Sequence, residues 1–146
     1  MEMLASHREK VAWLSLGAML TTFGPYLVVM AIEPPVDPLP DLYTLSLLGS
    51  AAVANMLILG VGHLWLRLGF PEDAREPADE RDRAISLRAM GYAYYVLIAG
   101  MIVVGCVMPF TYGGWKLVNT AVGVIVVAQL VNYGIAAWSY RKGWYD

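Results

Sequence analysis

Uncharged, apolar stretches of membrane-crossing length recur four times along this chain: Val11 to Ile32, Leu42 to Leu66, Ala89 to Met108 and Leu117 to Tyr140. Each meets the roughly 20 residues that a helix needs to traverse a hydrocarbon layer about 30 Å thick. None alternates apolar with polar positions, as the strands of a membrane barrel would, and a barrel would need at least about eight of them. A helix pairs its backbone polar groups within the segment, which is what a run immersed in hydrocarbon requires. The pattern therefore predicts an all-α fold, an integral membrane four-helix bundle forming a single domain.

The breaks between runs differ in kind. Glu33 to Asp41 holds four prolines and three acids, a composition that stiffens into an extended strap without internal hydrogen bonds. Pro109 to Gly114 is short enough to fold its neighbouring runs into an antiparallel hairpin. Aromatic residues gather at the run ends: Tyr112 and Trp115 at one surface, Trp138, Tyr140, Trp144 and Tyr145 at the other. Such rings favour the headgroup zone.

Composition reinforces this picture. Hydrophobic residues make up 58% of the chain and charged residues only 15%, against about one quarter charged in soluble domains. The charges are also clustered. Nine of the ten Lys and Arg side chains lie before the first run, between the second and third, or after the fourth; Lys116 alone lies opposite. Basic residues collect on the cytoplasmic side of membrane proteins, so both termini are expected in the cytoplasm. His7, Arg8 and Lys10 resemble the start of a signal peptide. The run that follows is too long for one and ends without a small-residue cleavage site, so it is expected to remain attached. The single cysteine, Cys106, excludes an internal disulfide and reads as a small packing residue.

The segment from Arg67 to Arg88 is the main water-facing part. Pro71 and Pro77 mark Leu68 to Pro77 as a loop. Asp79 then suits an N-cap, with Asp82 at capping-box spacing, and Asp79 and Arg83 are placed to pair one helical turn apart. No proline interrupts Asp79 to Met108. A continuous helix there would run about 45 Å, leaving on the order of 15 Å beyond the hydrocarbon as a cytoplasmic extension of the third helix. Arg81, Ile85 and Arg88 would share one face, free to pack on the protein, meet anionic lipid or receive a partner. Asp79, Glu80, Arg81, Asp82, Arg83 and Arg88 are thus the candidate partner-binding residues.

Asp79-Glu80-Arg81-Asp82, followed by Ile85, Arg88 and Tyr94-Tyr95-Val96-Leu97, resembles a family of uncharacterised small prokaryotic membrane proteins with a DER(D/E) signature before the third of about four spans. The closing Tyr140-Arg141-Lys142-Gly143 is similar to that family's usual end. The resemblance covers Asp79 to Gly143. It implies the fold and the four-span topology; the family carries no assigned catalytic activity, so function is not implied.

Polar side chains within the runs are costly in lipid and so face protein or a cavity. Asn55 and His63 lie two helical turns apart in the second run, and Gln129, Asn132, Tyr133 and Ala136 share a face in the fourth. Thr21 and Thr22 lie in the middle of the first run. Hydrogen-bonded packing between helices accounts for them. Asn55, His63, Gln129 and Asn132 around one cleft would instead make an intramembrane polar site, the basis for a small-molecule or ion carrier working as a homodimer. A haem or quinone redox subunit using His63 is a weaker third reading, with a haem held by both His7 and His63 its least supported form; no cofactor and no metal is expected. No Asp or Glu enters any run, as proton-coupled exporters usually require, and Ser46 and Ser50 have no histidine–acid partner that would make a nucleophile. No catalytic residue is expected. The leading expectation is a non-enzymatic interaction protein, accessory subunit or membrane anchor acting through residues 67–88. Its partners would be membrane lipid and another protein or a second copy, not nucleic acid.

The orientation has a direct check. With Cys106 replaced, a cysteine introduced at Arg75 should resist an impermeant thiol reagent in intact cells and react once the membrane is opened; labelling from outside would invert the topology.

Overall fold

A computed structural model of the chain describes residues 6–35, 41–75 and 77–142, except for the side chains of Asp73 and Ala74. The middle of the proline-rich strap and the closing Gly143, Trp144 and Tyr145 lie outside the described residues. The fold is all-helical: α1 (His7–Ile32), α2 (Leu42–Gly69), a short α3 (Pro71–Arg75), α4 (Glu80–Ile102) and α5 (Gly114–Lys142). Four helical segments, with α4 counted through Phe110, are long and apolar enough to cross a membrane.

Each helix begins where local chemistry supplies its missing hydrogen bonds. The Ser6 hydroxyl accepts from the Glu9 amide at the start of α1. Asp41 caps α2, accepting from the amides of Tyr43 and Thr44 and from the Thr44 hydroxyl. Those bonds, the hydroxyl's foremost, hold its carboxyl below the usual carboxylate range. Asp79 and Asp82 form the expected reciprocal capping box at α4. The expected loop over Leu68 to Pro77 is corrected in part: Pro71–Arg75 is a helical turn, opened by a proline at the position where its fixed φ and missing N–H cost nothing.

The uninterrupted helix expected from Asp79 to Met108 is also corrected. At Val103 the chain widens into a π-helical turn, Val103–Val107, followed by a 3-10 turn, Met108–Phe110. Pro109 lacks an N–H and its ring would collide with the carbonyl four residues back, so regular winding fails just before it. The hairpin then closes with the amides of Thr111 and Tyr112 both donating to the Met108 carbonyl. Gly114 enters α5 at φ 54°, a left-handed conformation that a side chain would strain. Pro25 lies inside α1 without ending it.

The helices run antiparallel in the spatial order α2, α1, α5, α4, so α2 packs on α1 and α4 on α5. The core lies where α1 is flanked on both sides: Tyr26, Met30 and Ala51, surrounded by Phe23, Leu27, Leu47, Leu48 and Val122. Buried positions are mostly small, among them Ala12, Ser15, Ala18, Ala89, Ala128 and Ala137. Large apolar residues such as Leu57, Leu64, Trp65 and Tyr95 face outward. Small residues inside let backbones approach, and the outward faces suit hydrocarbon.

Two glycines mark the tightest approaches. A Cβ at Gly62 of α2 would strike Leu14 of α1, and one at Gly100 of α4 would strike Val124 of α5. Leu14 meets it with the tip of a flexible side chain. Val124 meets it with a branched Cβ that a helix locks in one rotamer. Gly100→Ala should therefore cost about 1–3 kcal/mol and lower the thermal transition in detergent. Gly91→Ala, with nothing within 4 Å of the added carbon, should be neutral or stabilising by up to about 1 kcal/mol.

Candidate functional site

The start of α1, the end of α2, the start of α4 and the end of α5 come together at one end of the molecule, carrying most of its basic residues. Asp82 is the tie. One carboxylate oxygen meets the Arg8 Nε at 2.9 Å, and the other accepts from the Tyr140 hydroxyl at 3.0 Å. The same side chain completes the α4 cap by accepting from the Asp79 amide at 3.4 Å, while the Asp82 backbone amide donates to the Asp79 carboxylate at 2.7 Å. One carboxylate thus binds the first turn of α1, the first turn of α4 and the last turn of α5. Its position suits it, because a negative charge at a helix N-terminus is favoured by the helix dipole.

Around this tie sit further contacts. Arg81 donates from Nη2 to the Tyr140 carbonyl at 3.5 Å, a cation placed where α5 runs out of amide partners. Ile85, one turn further along α4, is buried at 3% exposure. Lys10 lies over the Phe70 ring at 3.6 Å, joining α1 to the end of α2. Arg141 lies 5.3 Å from the Trp13 ring.

The candidate partner-binding residues therefore divide. Asp79, Arg81 and Asp82 make bonds within the protein, and Ile85 is buried while Arg81 stays exposed. Glu80 and Arg83 are exposed, and Arg88 is half-buried. The expected pair between Asp79 and Arg83 is not formed among the described residues: Asp79 accepts the cap bond instead. The start of α4 is fastened to α1 and α5 through Asp82 and Arg81, so it packs against them at this end.

The candidate intramembrane polar residues are dispersed as well. Asn55 accepts from the Thr22 hydroxyl at 3.3 Å, tying α2 to α1. His63 is exposed on α2 and its Nδ1 lies 2.6 Å from the Leu59 carbonyl of its own helix. Gln129 is half-buried on α5. Asn132 lines a cavity of about 360 Å³ between α1, α4 and α5, beside Tyr133 and Ala136. The face read from the fourth run thus reaches a real concavity, but Asn55 and His63 do not line it. An apolar groove between α1 and α2, floored by Gly62 and flanked by Trp13 and Trp65, contains neither of them. The Tyr26 hydroxyl donates to Asn119 at 2.5 Å, a second polar bond between helices.

Sequence reasoning missed Arg8 and Tyr140 as partners of Asp82. Arg8 entered only as one of the basic charges, and Tyr140 only as an interfacial aromatic. An arginine one turn into a helix, where a cation is disfavoured by the dipole, was the available signal. Among the described residues no three His, Cys, Asp or Glu side chains converge as a metal site.

The arrangement defines an all-helical protein with four apolar, membrane-length segments, three of them joined at one end by a charged tie. Compared with protein-family models, curated proteins and solved structures, the chain matches none.

The tie can be dissected. Asp82→Ala removes an ion pair, a tyrosine acceptor and a capping partner together, and should cost about 2–3 kcal/mol. Asp82→Asn keeps an acceptor and should recover more than half of that loss. Arg8→Ala, at a side chain 42% exposed, should cost no more than about 1 kcal/mol. Thermal unfolding in detergent checks the order.

Proposed function

We propose that this chain is a non-enzymatic membrane protein that holds a second protein against the membrane, as an accessory subunit or anchor. Both termini and the α2–α4 connection face the cytoplasm in this reading, in keeping with the nine basic residues on that side. The observation that carries it is the division of charge in the connection. Arg81 and Asp82 fix the start of α4, while Glu72, Arg75, Glu80 and Arg83 are exposed on that fixed base. A partner would meet a charged surface whose foundation is already ordered, so binding would cost little ordering entropy. The packing order supports the same reading. Because α2 and α4 occupy opposite edges, these charges lie between them at the end where Arg8, Asp82 and Tyr140 meet.

The homodimeric carrier receives less support, since its four polar residues do not converge on one cleft. The interaction reading is tested by the double reversal Glu80→Arg with Arg83→Glu. In mild detergent extracts of native membranes, the wild-type chain should retain a defined partner that the reversed protein loses while keeping its helicity and thermal transition. A wild-type chain that purifies alone, or a partner indifferent to the reversal, would refute it.

A further inference from the structure

The cavity between α1, α4 and α5 has no part in the tie's role of fastening helix ends, yet its lining is not that of a packing defect. Four polar side chains converge on it: His7 from α1, Ser86 from α4, and Asn132 and Tyr133 from α5. The His7 Nδ1 is buried without a hydrogen-bond partner. Ser86, Asn132 and Tyr133 likewise make no side-chain hydrogen bond among the described residues. Leaving the buried His7 nitrogen unpaired is costly, and three helices contribute polar groups to this one space. Arg8, Asp82 and Tyr140 of the tie also line it, and the rest of the wall is apolar: Val11, Ala12, Ile85, Ala89 and Ala136. A few convergent polar groups in an apolar concavity of at least about 300 Å³ is the usual form of a small-molecule site.

The charges decide what kind of molecule fits. Arg8 and Asp82 lie at the same cavity but neutralise each other at 2.9 Å, and Tyr140 takes the other carboxylate oxygen. No net charge is left to match an ion. The serine and tyrosine hydroxyls and the asparagine amide all donate hydrogen bonds, and the imidazole donates through whichever nitrogen carries its proton.

We propose that this cavity binds an uncharged amphipathic molecule, whose carbonyl or hydroxyl oxygens accept from Ser86, Asn132 and Tyr133 while its apolar part lies along Ala12, Ile85 and Ala89. The head could belong to a quinone or to a neutral glycerolipid; both offer this chemistry. The inference is independent of the partner-binding reading, because it uses the interior face of α4 rather than its exposed charges.

The test uses the full chain in phosphatidylcholine nanodiscs, titrated with a short-chain benzoquinone, with monoolein and with phosphatidylglycerol, and followed by intrinsic tryptophan fluorescence. Saturable binding of the benzoquinone, of monoolein or of both is expected, and the responding probe identifies the head. Asn132→Leu and Ser86→Val should each weaken that binding about tenfold, as loss of a hydrogen bond in a buried site does. His63→Leu, outside the cavity, should leave it unchanged. Ser86 is exposed, so its variant keeps the test valid if Asn132→Leu fails to fold. Absence of saturable binding by both neutral probes would overturn the proposal. So would equal binding by Ser86→Val and wild type, or tighter binding of phosphatidylglycerol with the same sensitivity to Ser86→Val.

Discussion

A single carboxylate, Asp82, governs how the helices of this protein meet at one end. In hydrocarbon, apolar faces gain little by leaving lipid for each other, so helix association relies on close packing and a few polar bonds. Asp82 concentrates three such interactions: the cap of its own helix, the ion pair with α1 and the hydroxyl of α5. The tie also sets the level of α4 against its neighbours. The start of α4 is held against α1 and α5, and the exposed charges of the connection acquire a fixed base.

Away from that end, the packing is made by small residues and by two glycine contacts, Gly62 with Leu14 and Gly100 with Val124. Single polar bonds, Thr22 to Asn55 and Tyr26 to Asn119, add direction to each helix pair; bonds of this type average about 0.6 kcal/mol in a membrane. Each joins one neighbouring pair rather than building a shared polar centre. The concavity opens where α1, α4 and α5 meet near the tie, because three helices fastened at their ends by long side chains leave space between their small-residue faces.

Some of this was legible in the residues. The apolar runs marked the four long helices to within a few residues, because their length is dictated by a physical thickness and their ends by charges and prolines. The capping box at Asp79 and Asp82 was legible because both partners lie within one turn. The π-helical turn before Pro109 was not anticipated, since proline was treated only as a terminator and its clash acts four residues upstream. The polar residues were correctly read as interhelical contacts at Asn55 and as a shared face at Asn132, Tyr133 and Ala136. His63 was weighed as an interior residue and is exposed on α2.

By itself, the sequence determined the all-helical class, the number of long apolar helices and where each begins, because backbone satisfaction and capping act within a few residues of one another. Only the tertiary structure decided which helix lies beside which. That choice buried Ile85, brought both Arg8 and Tyr140 to Asp82, separated His63 from Asn132, and gathered His7, Ser86, Asn132 and Tyr133 around one cavity. Helical periodicity fixes which residues share a face, but the neighbour that face meets depends on contacts distant in the chain.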